Sequence, residues 1–368
     1  MTRASTPVAQ AAMLRRAASR LAACATGVLD ADPAFPREAL ESLDAGGALA
    51  AALPAHGGGR PPFAAELWAV RRTARADGSV GRVVDGHLNA VERIDVACPE
   101  PLRGDLLDRV ARGGTWLGVW GADPPGVSDE APASLERRSG TLRLTGTKDF
   151  CSGAGGLHGA LVVARDGEQR VLAYVELGEG VEVDRSWFRA AGMRASESHR
   201  VRFDGARVAA LLGGPGELLR QPWFARDAIR TAATWAGLAD RAQEAARAAL
   251  ASRVRAGDEL AALALGRIAT HATTIDLWLE RGADAGDEAV RAVAPDGPRS
   301  LGDLSIHLRD GVASAASALV DEALRAAGSR PLVEGGALDR TARDLRVFLL
   351  QHRLDPLLAR SGRTLAGA

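Results

Sequence analysis

The chain is short of several things that would classify it quickly. Lysine is nearly missing: among 46 basic residues only Lys148 is a lysine, and 46 acidic residues bring the formal net charge to zero. Without a basic surplus or an acidic tail, neither nucleic acid nor an anionic membrane surface is an expected partner. The three cysteines, Cys24, Cys98 and Cys151, form no CxxC pair and no even-numbered framework. That pattern fits a reducing, cytoplasmic setting. No apolar run approaches the roughly 18 residues needed to cross a bilayer. The generic catalytic signatures are missing too: there is no GxxxxGK[ST], no HExxH, no GxSxG and no Cys/His metal spacing. Ser152-Gly153-Ala154-Gly155-Gly156 is glycine-rich but opens no helix, which argues against a Rossmann site.

What the sequence does have is a change of period. With 368 residues, 46% of them hydrophobic, it can bury two or three cores. The stretch before Asp30 bears arginine and lacks acids, a composition shared by transit peptides and by an amphipathic helix with Leu14, Leu21 and Ala22 on one face. Helical spacing then runs through AFPREALESLDAGG, PFAAELWAVRRTARAD, GRVVDGHLNAVERI and Pro101 to Ala111, where Gly113-Gly114 ends it.

From Thr115 the period shortens towards two. Ser134–Arg138 and Thr141–Thr145 read as a hairpin, Gly159–Arg165 and Arg170–Leu177 as strands joined through Asp166-Gly167, and Val181–Arg185 and His199–Phe203 as two more. Asp204-Gly205 reads as a further turn. Short strands without intervening helices predict an antiparallel barrel or sandwich.

After Gly213-Gly214-Pro215-Gly216 four helical runs follow: Pro222–Ala251, Leu260–Glu280, Ser300–Ala327 and Leu338–Arg360. They predict a four-helix bundle. The expected class is therefore α+β in three domains: helical over 1–113, a β domain over 114–213, and a helix bundle over 214–368.

Several segments resemble the acyl-CoA dehydrogenase superfamily, over the whole length. Gly118-Val119-Trp120-Gly121-Ala122-Asp123-Pro124 stands where the family carries a Thr-Glu-Pro loop beside the flavin. GTKDFCSG (146–153) is similar to its Gly-x-Lys-x-Trp-Ile-Thr/Ser segment, and GMRASES (192–198) to its Gly-x-Arg-x-Ser-x-Thr/Ser element. The resemblance implies an FAD site in which Trp120 and Gly121 offer backbone groups. Phe150 takes the aromatic position, Ser152 supplies the hydroxyl that contacts flavin N5, and Trp187 borders the ring. Ser152 also reads as a turn serine and Trp187 as ordinary core.

In the last domain, Gly237 to Arg253 has the family's own separation, and Arg253 matches an arginine that reaches a neighbouring subunit's FAD pyrophosphate. A solvated helix arginine is the plainer reading, with Arg255 a rival. AAGSRPLVEGGALDRTARD (326–344) resembles a Gly-Gly-x-Gly element followed by paired charges. Gly328 and Ser329 replace the double glycine, and Asp339-Arg340 with Arg343-Asp344 read as mainly structural. The resemblance thus implies a homotetramer or dimer.

One departure divides the functional readings. The family's catalytic glutamate position holds His352. A monooxygenase branch of the superfamily carries histidine there, takes reduced flavin from a separate reductase and uses a C4a-hydroperoxide. Gly86-His87-Leu88 is similar to a second histidine element of that branch. Three expectations follow. The first is an FAD-dependent, acyl-CoA dehydrogenase-like oxidoreductase acting on CH–CH bonds of an acyl thioester with an altered base. The second is a two-component monooxygenase, using FMN or another reduced flavin and a flavin reductase, that hydroxylates a small aromatic or natural-product substrate. The third is a non-catalytic family member serving as a binding subunit.

Overall fold

The protein is described by a computed structural model over residues 33–54, 60–138, 140–292, 299–334, 336–351 and 353–367. The expected first helix, with Leu14, Leu21 and Ala22, lies outside these residues, and so does His352.

Among the described residues four helices come first: α1 (Arg37–Ala45), α2 (Phe63–Ala76), α3 (Gly78–Ala97) and α4 (Leu102–Arg112). Seven strands follow: β1 (Leu117–Trp120), β2 (Ser134–Arg138), β3 (Thr141–Cys151), β4 (Gly159–Asp166), β5 (Gln169–Glu176), β6 (Val181–Asp184) and β7 (His199–Leu212). The chain then returns to helix with α5 (Trp223–Arg255), α6 (Glu259–Arg291), α7 (Arg299–Ala327), the short α8 (Arg330–Glu334), α9 (Ala337–Leu350) and α10 (Asp355–Leu365). The class is mixed α+β. Its contacts gather into two compact units. Among the described residues, one holds those up to Pro61, Arg82–Arg189 and Arg194–Phe224; the other holds Pro62–Gly81, Ala190–Met193 and those from Ala225 onward.

In the first unit the sheet closes on itself. β4 pairs β2, β2 pairs β3, β3 pairs β7, β7 pairs β5, and β5 returns to β4. The β4–β5 hairpin runs in unbroken register from Gly159↔Glu176 to Asp166↔Gln169, turning through Gly167 at φ +61°. Residues 159–164 of β4 are all buried, so this strand is covered on both faces.

Two expectations are corrected here. The sheet is not purely antiparallel: β1 lies parallel to β4, and β2 meets β4 in a parallel bridge. A long connection can bring strands together in either direction, and period-two spacing carries no direction. Asp204-Gly205 is not a turn. β7 runs straight through it, with Leu144↔Ala206 followed by Gly146↔Phe203, so the extra residue is absorbed as a bulge with Gly205 at φ +66°.

The second unit is helical. α5 and α6 have 33 residues each, about 50 Å at 1.5 Å per residue. Asp258 separates them, its carboxylate accepting the Ala261 N–H at 3.0 Å as the cap of α6. Gly237 lets α5 close on α2, because a Cβ there would collide with the Arg71 carbonyl. Arg71 crosses the same contact and forks onto Asp240 at 2.7 and 2.8 Å.

Deeper in this unit, Glu66 receives Arg226 at 3.1 Å and Arg230 Nε at 2.7 Å, with all three side chains buried. Both guanidiniums lie over Phe63, at 3.8 and 5.0 Å from its ring centre. The RTARD segment is structural, as expected: Arg340 holds Asp77, Asp344 takes the Met193 N–H, and Arg343 reaches the Ala191 carbonyl. The single helix expected over Leu338–Arg360 is two helices. α9 stops at Leu350, and Pro356 opens α10, because proline favours a first helical turn.

Candidate functional site

The site residues of the first unit collect where β3 ends. From Lys148↔Val201 to Cys151↔His199, β3 spends one more residue than β7. Phe150 occupies that bulge at φ +54°, and the Ser152 N–H closes onto the Phe150 carbonyl at 2.9 Å. A bulge re-aims side chains that strict alternation would bury. Here Phe150 emerges with 48% exposure, while Cys151 turns inward and is fully buried. Burial pushes the Cys151 thiol well above its ordinary pKa, so it is an inert core group.

A stack of four side chains holds this edge. Buried Asp149 accepts a two-pronged contact from Arg200 at 2.7 and 3.0 Å. The Arg200 guanidinium lies 5.2 Å from the Trp187 ring centre, and Trp187 meets Phe150 edge-on at 4.9 Å and 77°. Trp187 is half-buried within this stack, not enclosed in a core.

Beside it runs a line of hydroxyls. Ser152 Oγ lies 2.9 Å from Ser198 Oγ, which lies 2.8 Å from Ser196 Oγ, and Arg82 Nε donates to Ser152 Oγ at 3.3 Å. Ser152 is thus more than a turn serine. Its hydroxyl ends a polar chain backed by a cation.

Trp120 supports the site from beneath. Its indole is buried and donates to the Ser152 carbonyl at 3.1 Å. The Gly121 carbonyl accepts from Lys148 Nζ at 3.2 Å, and Lys148 also pairs with Asp123 at 2.7 Å. Burial lowers the Lys148 pKa, while Asp123 opposes that shift. The expected offer of backbone groups from Trp120-Gly121 is therefore qualified: the Gly121 carbonyl is already engaged inside the protein.

His87 departs from the expected role. It is buried, its Nε2 bonds the Leu49 carbonyl at 2.9 Å, and its Nδ1 accepts the Leu117 N–H at 3.1 Å. This arrangement uses both ring nitrogens of a neutral imidazole. Burial lowers its pKa to about 4. The geometry makes His87 a strut between the Leu49 turn and β1, with neither nitrogen left to meet a substrate.

Arg253, Gly328 and Ser329 belong to the second unit, where they share a corner. Arg253 Nε donates to Asp258 at 2.9 Å and its Nη1 to the Ala326 carbonyl at 2.8 Å. Gly328 follows α7 at φ +78° with an exposed surface, and Ser329 is exposed beside it. No group of three or more His, Cys, Asp or Glu is placed to hold a metal among the described residues. No helix among them is long and apolar enough to cross a membrane.

Sequence reading did not single out Arg82, Asp149, Ser196, Ser198 or Arg200. Ser196 and Ser198 lay inside the quoted GMRASES motif, and Arg82 with Asp85 has helical i,i+3 spacing. Those were the available signals.

No protein-family model matches the chain. It is 28% identical over 193 residues, 50% of its length, to a dibenzothiophene monooxygenase of Mycolicibacterium goodii, of which 46% is covered. The chain spans about half the length of the curated relatives it matches. Among solved structures, it is similar to FMN-bound TdsC from Paenibacillus sp. A11-2, with a TM-score of 0.84, 20% identity and 96% of each chain covered. It is also similar to nitrososynthase from Micromonospora carbonacea var. africana, with a TM-score of 0.80, 26% identity, and 98% of this chain and 97% of that one covered. At the level of architecture the fold is acyl-CoA dehydrogenase-like.

Proposed function

We propose that the chain is a flavin-dependent monooxygenase that takes reduced flavin from a separate flavin reductase and oxygenates a small apolar or aromatic substrate. One observation supports this most directly. The exposed Phe150–Trp187 edge and the Arg82-backed Ser152 hydroxyl sit together at the bulged end of β3. An isoalloxazine ring wants aromatic contact on its flat body and donors at its ring nitrogens and carbonyls, so these residues fit a flavin.

Reduced flavin, when bound, supplies two electrons to dioxygen; one oxygen atom enters the substrate and the other leaves as water. The chain's own part is to bind, orient and shield. Phe150 and Trp187 present the apolar edge, and Ser152 presents a hydroxyl fixed on a closed sheet. Donors held rigidly before the reaction need no reorganisation during it.

FMN is the preferred flavin in this reading, since a similar structure is FMN-bound TdsC. The proteins similar to this chain carry monooxygenase and nitrososynthase names, which favours oxygen transfer over CH–CH dehydrogenation. Histidine at position 352, where the dehydrogenases have glutamate, points the same way, and we assign it the proton-handling role. His87 is assigned to holding the fold. A homo-oligomer in which Arg253 and Gly328 face a neighbour's cofactor completes the proposal, and it requires Arg253 to exchange its Asp258 and Ala326 partners for phosphate oxygens.

The test mixes the protein with reduced FMN and oxygen and follows absorbance by stopped flow. A long-lived species distinct from oxidised flavin is expected. Immediate formation of oxidised FMN with stoichiometric free peroxide would overturn the reading. Bleaching of bound flavin by acyl-CoA thioesters in the absence of oxygen would restore the dehydrogenase alternative.

A further inference from the structure

A guanidinium taken out of water must meet carboxylates or carbonyls that replace its hydration. Five arginines are buried among the described residues: Arg93, Arg226, Arg230, Arg309 and Arg340. Four of them have such partners. Arg226 and Arg230 share Glu66, Arg340 holds Asp77, and Arg93 donates to the carbonyls of Glu217 and Leu218 at 3.1 and 2.8 Å. Arg309, on α7 of the helical unit and 4% exposed, is the exception.

Its Nε donates to the Ser305 carbonyl at 3.1 Å, one turn back in its own helix. The Ser305 hydroxyl is turned away, onto the Gly302 carbonyl at 2.7 Å. Among the described residues neither terminal nitrogen of Arg309 finds an acceptor, and neither is sealed from solvent. Burial lowers the Arg309 pKa, and no neighbouring carboxylate opposes that shift, in contrast to Asp123 beside Lys148. Helical spacing puts Leu301, Val312 and Ala316 on the same side of α7 as Arg309, all of them buried. A full positive charge thus stands at an apolar helix face with its outer donors unspent.

The chemistry of the missing partner follows from those donors. The end of a guanidinium carries two parallel N–H bonds, spaced for the two oxygens of one carboxylate. A carboxylate also brings one negative charge, which cancels Arg309 and leaves none over. A phosphate dianion brings a second charge that the apolar face cannot answer, and a neutral amide leaves the cation unbalanced.

We propose that Arg309 anchors a binding site for a small monocarboxylate in the helical unit, held by the two terminal nitrogens of its guanidinium. The site does not depend on the flavin reading.

The experiment follows thermal unfolding of the full chain as wild-type, Arg309→Met and Arg309→Lys, titrated with sodium acetate at constant ionic strength. Acetamide, of the same shape but uncharged, and inorganic phosphate are the comparisons. Acetate should raise the wild-type unfolding temperature by a few degrees and saturate in the millimolar range, whereas acetamide should leave it unmoved. Arg309→Met should lose the acetate effect. Without any carboxylate it should unfold above the wild-type, because methionine fills similar space and buries no charge. Arg309→Lys keeps the cation without the fork, and its acetate effect should be smaller than that of the wild-type.

No acetate effect in the wild-type, or an effect undiminished in both variants, would overturn the proposal. So would an Arg309→Met variant that unfolds below the wild-type or does not fold, since the arginine would then have its partners within the protein. A larger effect of inorganic phosphate than of acetate would overturn the choice of a monocarboxylate.

Discussion

Two buried arginine clusters sit in the two units, and they are built to opposite ends. In the helical unit Glu66 is gripped by Arg226 and Arg230, with Asp227 and Asp287 taking further guanidinium contacts and Phe63 packed beneath. Full charges meet full charges, and the cluster is closed. In the β unit Arg82 donates to the Asp85 carboxylate and also to a neutral hydroxyl, beyond which lie two more. Hydroxyl protons rotate at little cost, whereas buried ions do not change partners cheaply. The closed cluster can only hold the fold. The open one ends in hydroxyls whose protons can turn.

The sharpest way to break this contrast is Glu66→Ala. It removes the carboxylate that two buried guanidiniums share, and a loss of about 3–5 kcal/mol is expected in denaturant unfolding, the range for removing one partner of a buried ion pair. A loss below about 1 kcal/mol would mean that the cluster is solvated and the contrast unfounded.

His87 comes next. Burial lowers its pKa to about 4, against about 6.5 in the unfolded chain. Between those values the unfolded chain binds a proton that the folded chain refuses. This contribution is complete above about pH 6.5 and is lost as the pH falls towards 4, by up to about 3 kcal/mol. His87→Gln can satisfy Leu49 and Leu117 without titrating, so its urea midpoint should vary less with pH across that window. An equally steep dependence in the variant would remove His87 as the cause.

The smallest effect is expected at Ser196→Ala, at the far end of the hydroxyl chain. Its loss should cost about 1 kcal/mol, measured in the same unfolding experiment, because Ser198 keeps its bond to Ser152. A cost matching that of Glu66→Ala would show the two clusters to be energetically alike.

Local features of this fold were legible in the sequence, and distant ones were not. The β4–β5 hairpin could be read because alternation and the Asp166-Gly167 turn are neighbours in the chain. The parallel pairing of β1 with β4 joins Leu117 to Gly159 across a long connection that carries no spacing signal. Gly205 looks the same in a turn and in a bulge, since both want positive φ. The flavin-facing candidates were reached through resemblance in motifs, and the structure does gather Phe150, Ser152 and Trp187 into one edge. His87 lay in an equally suggestive motif, but the partners that occupy its ring are 38 and 30 residues away. Arg82 was passed over for the same reason: Ser152 lies 70 residues further on.

Lys148 has one more consequence. The chain's only lysine has none of its side chain exposed, and it is locked to Asp123 in the wall of the closed sheet. The folded molecule therefore offers no side-chain amine to acylating or cross-linking reagents. An acyl group added to Lys148 in the folded protein records a moment when the barrel was open, which makes this residue a built-in chemical clock for the breathing of β3.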